Sequence, residues 1–221
     1  MSERASLARA AGDFFGSVLL FQAAPESERP SFGAFRSRLL ELLDGFQKSA
    51  EARQSKPSEL EEARFALVAW ADEMVNWSGW KGATEWERDP LQLQLFSTRH
   101  AGVEFFEHLS KLGRDQAAAL EVYFLCLALG FQGQYAGHEG DRHAVVQETL
   151  EKLRRSGRAL DLASEKRITP TAYQLNIALQ GRRSRLFRTL LLIAGASLLL
   201  FGTLWGVLWL LAGRVPLITG G

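Results

Sequence analysis

From Thr189 to Gly213 the chain runs 25 residues without a charged side chain, TLLLIAGASLLLFGTLWGVLWLLAG. At about 1.5 Å rise per residue, a helix of this length crosses a hydrocarbon core of roughly 30 Å with some tilt. Its own hydrogen bonds satisfy nearly all of its backbone groups, as lipid demands. In water the same run would have to form a buried hairpin or the core helix of a soluble domain, and that reading stays open beside the span. Only eight residues follow Gly213, so the expectation is a folded N-terminal domain tied to a membrane by its tail.

Arg182, Arg183, Arg185 and Arg188 precede the span and Arg214 follows it. Basic residues beside a span stay on the cytoplasmic side. The expected organisation is therefore a cytoplasmic domain over 1–181, a basic juxtamembrane segment over 182–188, the transmembrane helix over 189–213 and a short tail over 214–221 on the far side. The four leading arginines also suit anionic lipid head groups, and Trp209 and Arg214 suit the far interface. A signal peptide would reverse this orientation. Arg4 and Arg9 do precede an apolar stretch, but its uncharged part, Phe14 to Phe21, is only eight residues long and Asp13 abuts it. Leu7, Ala10, Ala11, Phe14, Phe15 and Val18 recur instead at helical spacing, which predicts an amphipathic first helix.

Charge is unevenly distributed. Residues 1–181 hold 21 Lys+Arg against all 25 Asp+Glu, a net of −4, so the basic excess sits beside the membrane. A nucleic-acid partner would need a basic face on the folded domain, and none is expected. The single cysteine, Cys126, lies in an apolar run and reads as an inert core thiol; it permits no internal disulfide.

The domain reads as all-α. Helices are expected over Leu7–Phe21, Phe32–Arg53, from about Pro57 to Asn76, Gly102–Leu112, Asp115–Leu129 and Arg142–Leu162, with a Trp- and Gly-rich loop from Trp77 to Asp89. The third helix has a capping-box pattern, Ser58-x-x-Glu61, after Pro57. Leu91, Leu93 and Leu95 alternate as a strand would, but Asp89-Pro90 is a good helix start and no partner strand is in sight, which favours helix.

Along the third helix, Leu60, Leu67, Val68, Ala71, Met74 and Val75 gather on one face. Glu61, Glu62, Asp72, Glu73 and Asn76 gather on the other, with Phe65 among them. An acidic stripe carrying one aromatic is a candidate docking surface for a basic partner; an ordinary solvated face is the alternative. Charge reversal at Asp72 and Glu73 is then expected to weaken partner recruitment without unfolding the domain. Nothing in the sequence marks either acid as desolvated or paired with a base, so catalysis is not expected of them.

His138 and His143 stand five apart, one more than the helical zinc motif needs, and Gly137 and Gly140 argue against a helix there. A solvated turn with Asp141 capping the next helix is the better reading. Neither a nucleophile elbow nor a phosphate-cradling loop occurs, so no metal or cofactor is expected. In the span, Gly195, Gly202 and Gly206 allow close helix approach, to a partner helix or to a second copy in a homodimer.

Several pieces occur together. Ala66-Leu67-Val68-Ala69-Trp70-Ala71-Asp72-Glu73 precedes a loop holding Trp80 and Trp86, then Leu95-Phe96, Gly102-Val103-Glu104-Phe105-Phe106-Glu107-His108-Leu109 and Glu121-Val122-Tyr123-Phe124-Leu125-Cys126-Leu127-Ala128-Leu129-Gly130-Phe131-Gln132-Gly133-Gln134-Tyr135. With a C-terminal span, this combination resembles the DotU/IcmH family, and residues 60–136 carry nearly all of the likeness. The resemblance implies a hook-like cytoplasmic domain of two small helical bundles and one inner-membrane helix with a periplasmic C-terminus. It implies a non-enzymatic component of a type VI secretion machine. The implied partners are TssM-like and TssJ-like proteins of the trans-envelope complex and a TssK-like baseplate protein. Asp72 and Glu73 match the family's acidic pair; Gly130, Phe131, Gly133 and Tyr135 match its second signature. Tyr123, Phe131 and Tyr135 read as core aromatics, and Gly130 and Gly133 as positive-φ ends to the helix before them. There are departures. The family leads one to expect a basic residue soon after Tyr135, where Gly137-His138-Glu139 intervenes, and Ile168-Thr169-Pro170 is only a loose match to Leu-Ser-Pro. A type IVB (Dot/Icm) component would share fold and topology. From another class, a tail-anchored metal-dependent hydrolase using His138 and His143 is the rival.

Overall fold

Ten α-helices and three single 3-10 turns make up the described residues, 6–157 of a computed structural model, with no strand among them. These residues fall in the first of two units, Met1–Ile168 and Thr169–Gly221. The apolar run 189–213 with Gly195, Gly202, Gly206 and Trp209, the arginines 182, 183, 185, 188 and 214, and Ile168-Thr169-Pro170 lie outside the described residues.

The helices are α1 (Leu7–Ala10), α2 (Gly12–Ala23), α3 (Phe32–Lys48), α4 (Ala50–Gln54), α5 (Pro57–Asn76), α6 (Ala83–Arg88), α7 (Leu91–Phe96), α8 (Ala101–Lys111), α9 (Ala117–Ala128) and α10 (Glu139–Arg155). Two expected helices are each divided. The first breaks at Ala11, just before Gly12, a residue that weakens a helix interior. The second breaks at Ser49, whose backbone turns extended while its hydroxyl accepts from the Ala52 N–H at 3.1 Å. A serine here offers the backbone an alternative to continuing the helix. Ser49→Ala should cost about 1 kcal/mol, the usual worth of an N-cap, measurable as a shift in the urea midpoint at constant slope.

The capping box does not form. Lys56 occupies the N-cap position and Pro57 the first helical position, so Ser58 already lies inside α5. Proline's fixed φ nucleates this end without a side-chain acceptor. The Trp/Gly loop contains α6, and Leu91–Phe96 is helical, as expected, with Pro90 just outside it. Further on, α10 starts at Glu139, so Gly140 and His143 are helical and Asp141 sits in the first turn instead of capping it. There its charge still suits the helix dipole.

α5 is the axis of the unit and packs against α2, α6, α7, α8 and α9. From Ala63 to Val75 only Arg64 and Glu73 escape full burial. Its closest companion is α9, which is almost wholly apolar and buried from Ala117 to Tyr123. The stretch Ala117–Tyr135 has the length and mean hydropathy, 1.2, of a membrane span. Burial against α5, α1 and α10 marks it as a core helix, since a helix apolar all round needs protein or lipid on every side. Aromatics lock the ends. Phe21 stacks on Phe35 with Trp80 and Trp86 beside them, and Phe105, Phe106, Tyr123, Phe131 and Tyr135 form a second group.

Candidate functional site

α7 begins with Pro90 in the N-cap position, and proline supplies no side-chain acceptor for the free N–H groups of the first turn. Asp72 supplies one from the last part of α5. Its Oδ1 accepts from the Leu91 N–H at 3.0 Å and from Trp86 Nε1 at 2.8 Å; Oδ2 accepts from the Gln92 N–H at 2.8 Å. One buried carboxylate thus fixes α6 through its tryptophan and α7 through its N-terminus. Arg36 of α3 holds the same corner from outside, donating to the Asp89 carbonyl and to Gln94 Oε1.

Glu73 does the same for the turn after α9. Its Oε1 accepts from the Gln132 N–H and its Oε2 from the Gly133 N–H, both at 2.7 Å. α9 ends as expected, with Gly130 at φ 102°, a conformation that glycine adopts without steric cost. Arg142 closes the turn from α10, donating to the Phe131 carbonyl at 2.9 Å and the Leu127 carbonyl at 2.6 Å.

Desolvation is the leading influence on both acids and raises both pKa values; hydrogen bonds oppose it at each, as does Arg142 at Glu73. A carboxyl whose pKa is raised by folding binds its proton more tightly in the native state, so its contribution favours folding at low pH and is lost as pH rises through the raised pKa. Glu73→Gln, which removes this titration, should therefore cost more stability below the ordinary carboxyl range, near pH 4.5, than at pH 7. Paired urea titrations of native and variant protein across that range check the sign.

Two more α5 acids point inward. Glu59 accepts from the Ala118 N–H at 3.0 Å at the start of α9, and Glu62 meets His108 Nδ1 at 3.0 Å while accepting from the Tyr123 hydroxyl at 2.9 Å. Phe65 is buried, stacked on His108 with centroids 4.4 Å apart. The acidic stripe expected on the surface is therefore internal. Asp72 is 1% exposed and unavailable for direct contact with a partner, and Phe65 is buried, reaching the surface only at the groove beside α7 and α8. Glu73 and Glu62 are half-buried and engaged, leaving Glu61 as the outward member, paired with Arg64 at 2.9 Å. The helical wheel fails because α5 is enclosed on both faces, and its polar side meets the unsatisfied ends of neighbouring elements. Both acids are desolvated, contrary to expectation, yet neither stands beside a nucleophile or a base.

Tyr123 and Phe131 are fully buried, as expected of core aromatics, and Tyr135 packs on Phe106. Cys126 is buried, its thiol pushed well up by desolvation, and it donates to the Ala66 carbonyl. Among the described residues no group of three or more His, Cys, Asp and Glu is placed to hold a metal. A groove of about 720 Å³ opens beside α7 and α8, lined by Phe65, Phe96, Arg99, His100, Glu104 and His108 among others. Sequence reasoning missed Glu59, Arg36 and Arg142. For Glu59 the available signal was the helix start at Gln116, which carries no good cap of its own.

In comparison with known proteins, no curated protein matches the chain significantly in sequence. The cytoplasmic domain of TssL from Acinetobacter baumannii is similar in structure, with TM-score 0.59 and 29% identity over 68% of this chain and 98% of that one. SciP/TssL of the type VI secretion system of enteroaggregative Escherichia coli 042 is similar with TM-score 0.52 and 25% identity, over 66% of this chain and 88% of that one. A family model described as type VI secretion system protein DotU matches residues 6–210. The all-α fold is thus a known architecture, and the chain belongs to the DotU family of type VI secretion system proteins.

Proposed function

We propose that this chain is a membrane-anchored scaffold that joins the trans-envelope complex of a type VI secretion system to its cytoplasmic baseplate. The observation that carries the proposal is the extent of the family match. It runs from residue 6 to residue 210, so the helical unit and most of the apolar run belong to one family pattern. In this reading 189–213 spans the inner membrane once, residues 1–181 are cytoplasmic, and 214–221 are periplasmic. The solved relative from Acinetobacter baumannii is a cytoplasmic domain, which agrees with the four-to-one arginine bias around the run. Gly195, Gly202 and Gly206 would pack the span against a TssM-like protein or a second copy, with a TssJ-like protein beyond them.

The work is binding, without a chemical step. With Asp72 enclosed, the acidic pair acts on a TssK-like baseplate partner indirectly, by holding α6, α7 and the turn after α9 in the positions that present their outer surfaces. Type VI appears in the description of the family and of one solved relative, which favours that machine over type IVB. Purification of the tagged full-length chain from its own host in mild detergent tests the proposal. Co-purifying membrane-complex and baseplate proteins support it; Dot/Icm components would move it to the other machine; a preparation without any secretion protein would refute it.

A further inference from the structure

α2 breaks a rule that the rest of the unit keeps. Its twelve residues, GDFFGSVLLFQA, include one charged side chain, Asp13, and apolar residues lie all the way round it. Phe14, Phe15, Val18 and Phe21 are buried in the core, yet Leu20 is 74% and Leu19 36% exposed. A Cβ added at Gly12 or Gly16 would meet nothing within 4 Å, so at these two positions none of the described residues packs on that flank. A helix apolar on all sides belongs in protein or lipid, and the outer face of α2 has neither.

The exposed leucines have company. Trp77 caps the C-terminal end of α5 and is 52% exposed. Gln22, two residues beyond Leu20, donates to the Met74 carbonyl at 3.2 Å, and Arg29 donates to the Ser78 carbonyl at 2.9 Å. The exposed end of α2 and the exposed indole therefore lie at the same end of the α2–α5 pair. Three of the four exposed large apolar residues among those described gather there, the fourth being Val103 on α8.

We infer that this end of the unit, Leu19, Leu20 and Trp77, rests in the interfacial region of the bilayer to which the chain is anchored. The inference rests on the reading of 189–213 as a span. Between Gly157 and Thr189 lie 31 residues, which at full extension reach about 110 Å. The unit can never leave the membrane by more than that, so an apolar contact too weak to recruit a free protein suffices for a tethered one. Tryptophan and leucine are the residues that partition into the interface without crossing it. The charges flanking the patch in sequence are mixed, Asp13, Glu26 and Glu28 with Arg29 and Lys81. With no single-sign field beside it, the contact draws on apolar burial.

The test uses the full-length chain reconstituted in zwitterionic vesicles, with a nitroxide on Leu20→Cys; the buried Cys126 is shielded from the label, and the chain without the added cysteine measures any residue. Leu199→Cys reports the span and Glu148→Cys an exposed site on α10. The expected result is several-fold greater relaxation of the Leu20 label by oxygen than by an aqueous nickel reagent, falling when Leu19→Glu and Trp77→Ser are added. An aqueous reading at Leu20 with a lipid reading at Leu199 overturns the inference and leaves the scaffold reading intact. Shielding from both reagents at Leu20 also overturns it, because a protein surface, such as a second copy, then covers α2. An aqueous reading at Leu199 removes the span itself, and the inference with it.

Discussion

Asp72→Ala should destabilise the helical unit by on the order of 3 kcal/mol or more, because it leaves the Trp86 and Leu91 N–H groups buried without an acceptor and uncaps α7. Each orphaned buried donor costs about 1–3 kcal/mol, against a total stability of roughly 5–15 kcal/mol for a domain. The deciding comparison is with Glu61→Ala. Glu61 lies on the same helix, but it faces water and pairs only with Arg64, so its loss should change stability by less than about 0.5 kcal/mol. Urea unfolding of the two variants, followed by tryptophan fluorescence, separates an internal strut from a surface acid. Near-neutral behaviour at both positions would restore the exposed docking stripe. Asp72→Asn should fall between, since an amide keeps one acceptor oxygen but turns an N–H₂ toward a donor. Charge reversal at Asp72 and Glu73, expected from the sequence to spare the fold, should instead unfold the unit. It would bury a cation against backbone N–H groups.

That reversal locates where the sequence is readable and where it stops. Periodicity placed α5, α8 and α9 within a residue or two, because a helix's apolar pattern is a property of the segment itself. It could not say that the polar side of α5 is also enclosed, because that depends on where α7, α8 and the turn after α9 come to rest. Asp72 and Glu73 nonetheless carried a local warning. Both sit within a turn of the C-terminal end of α5, where a negative charge opposes the helix dipole. Acids in that place need donors from elsewhere, and Pro90 and Gln116 mark helix starts that need acceptors. The two wants answer each other through Asp72 to α7, while Glu59, in the first turn of α5, serves the start of α9. Arg142 is a similar case. Its neighbour Glu139 announces only a weak ion pair at 4.0 Å, and the free carbonyls at the end of α9 give it its hydrogen bonds.

The turn that Glu73 holds has a second constraint, and it carries the other large effect. Gly133 has φ +49°, and a Cβ built there would stand 2.3 Å from the Gly102 carbonyl oxygen and 2.8 Å from a ring carbon of Phe106. The ring could shift, but the carbonyl belongs to the backbone of α8 and cannot move without the helix. Gly133→Ala should therefore cost about 3 kcal/mol or more, from left-handed strain and overpacking together. Gly102 is the control. Its own added Cβ would meet the Gly133 Cα at 3.4 Å, an ordinary contact, so Gly102→Ala should cost less than about 1.5 kcal/mol. If both glycines tolerate alanine equally, the close approach of α8 to the turn is wrong. If only Gly133 fails, then the Gly130–Tyr135 signature is a packing requirement. Glu73 and Arg142 grip the turn from two sides because it must pass within contact of a helix backbone. If the chain recruits a baseplate as proposed, a variant that loosens this turn should lose recruitment in proportion to its lost stability, whereas a surface contact would be lost at full stability. Measuring recruitment and urea midpoint on the same set of Gly133, Glu73 and Arg142 variants distinguishes the two.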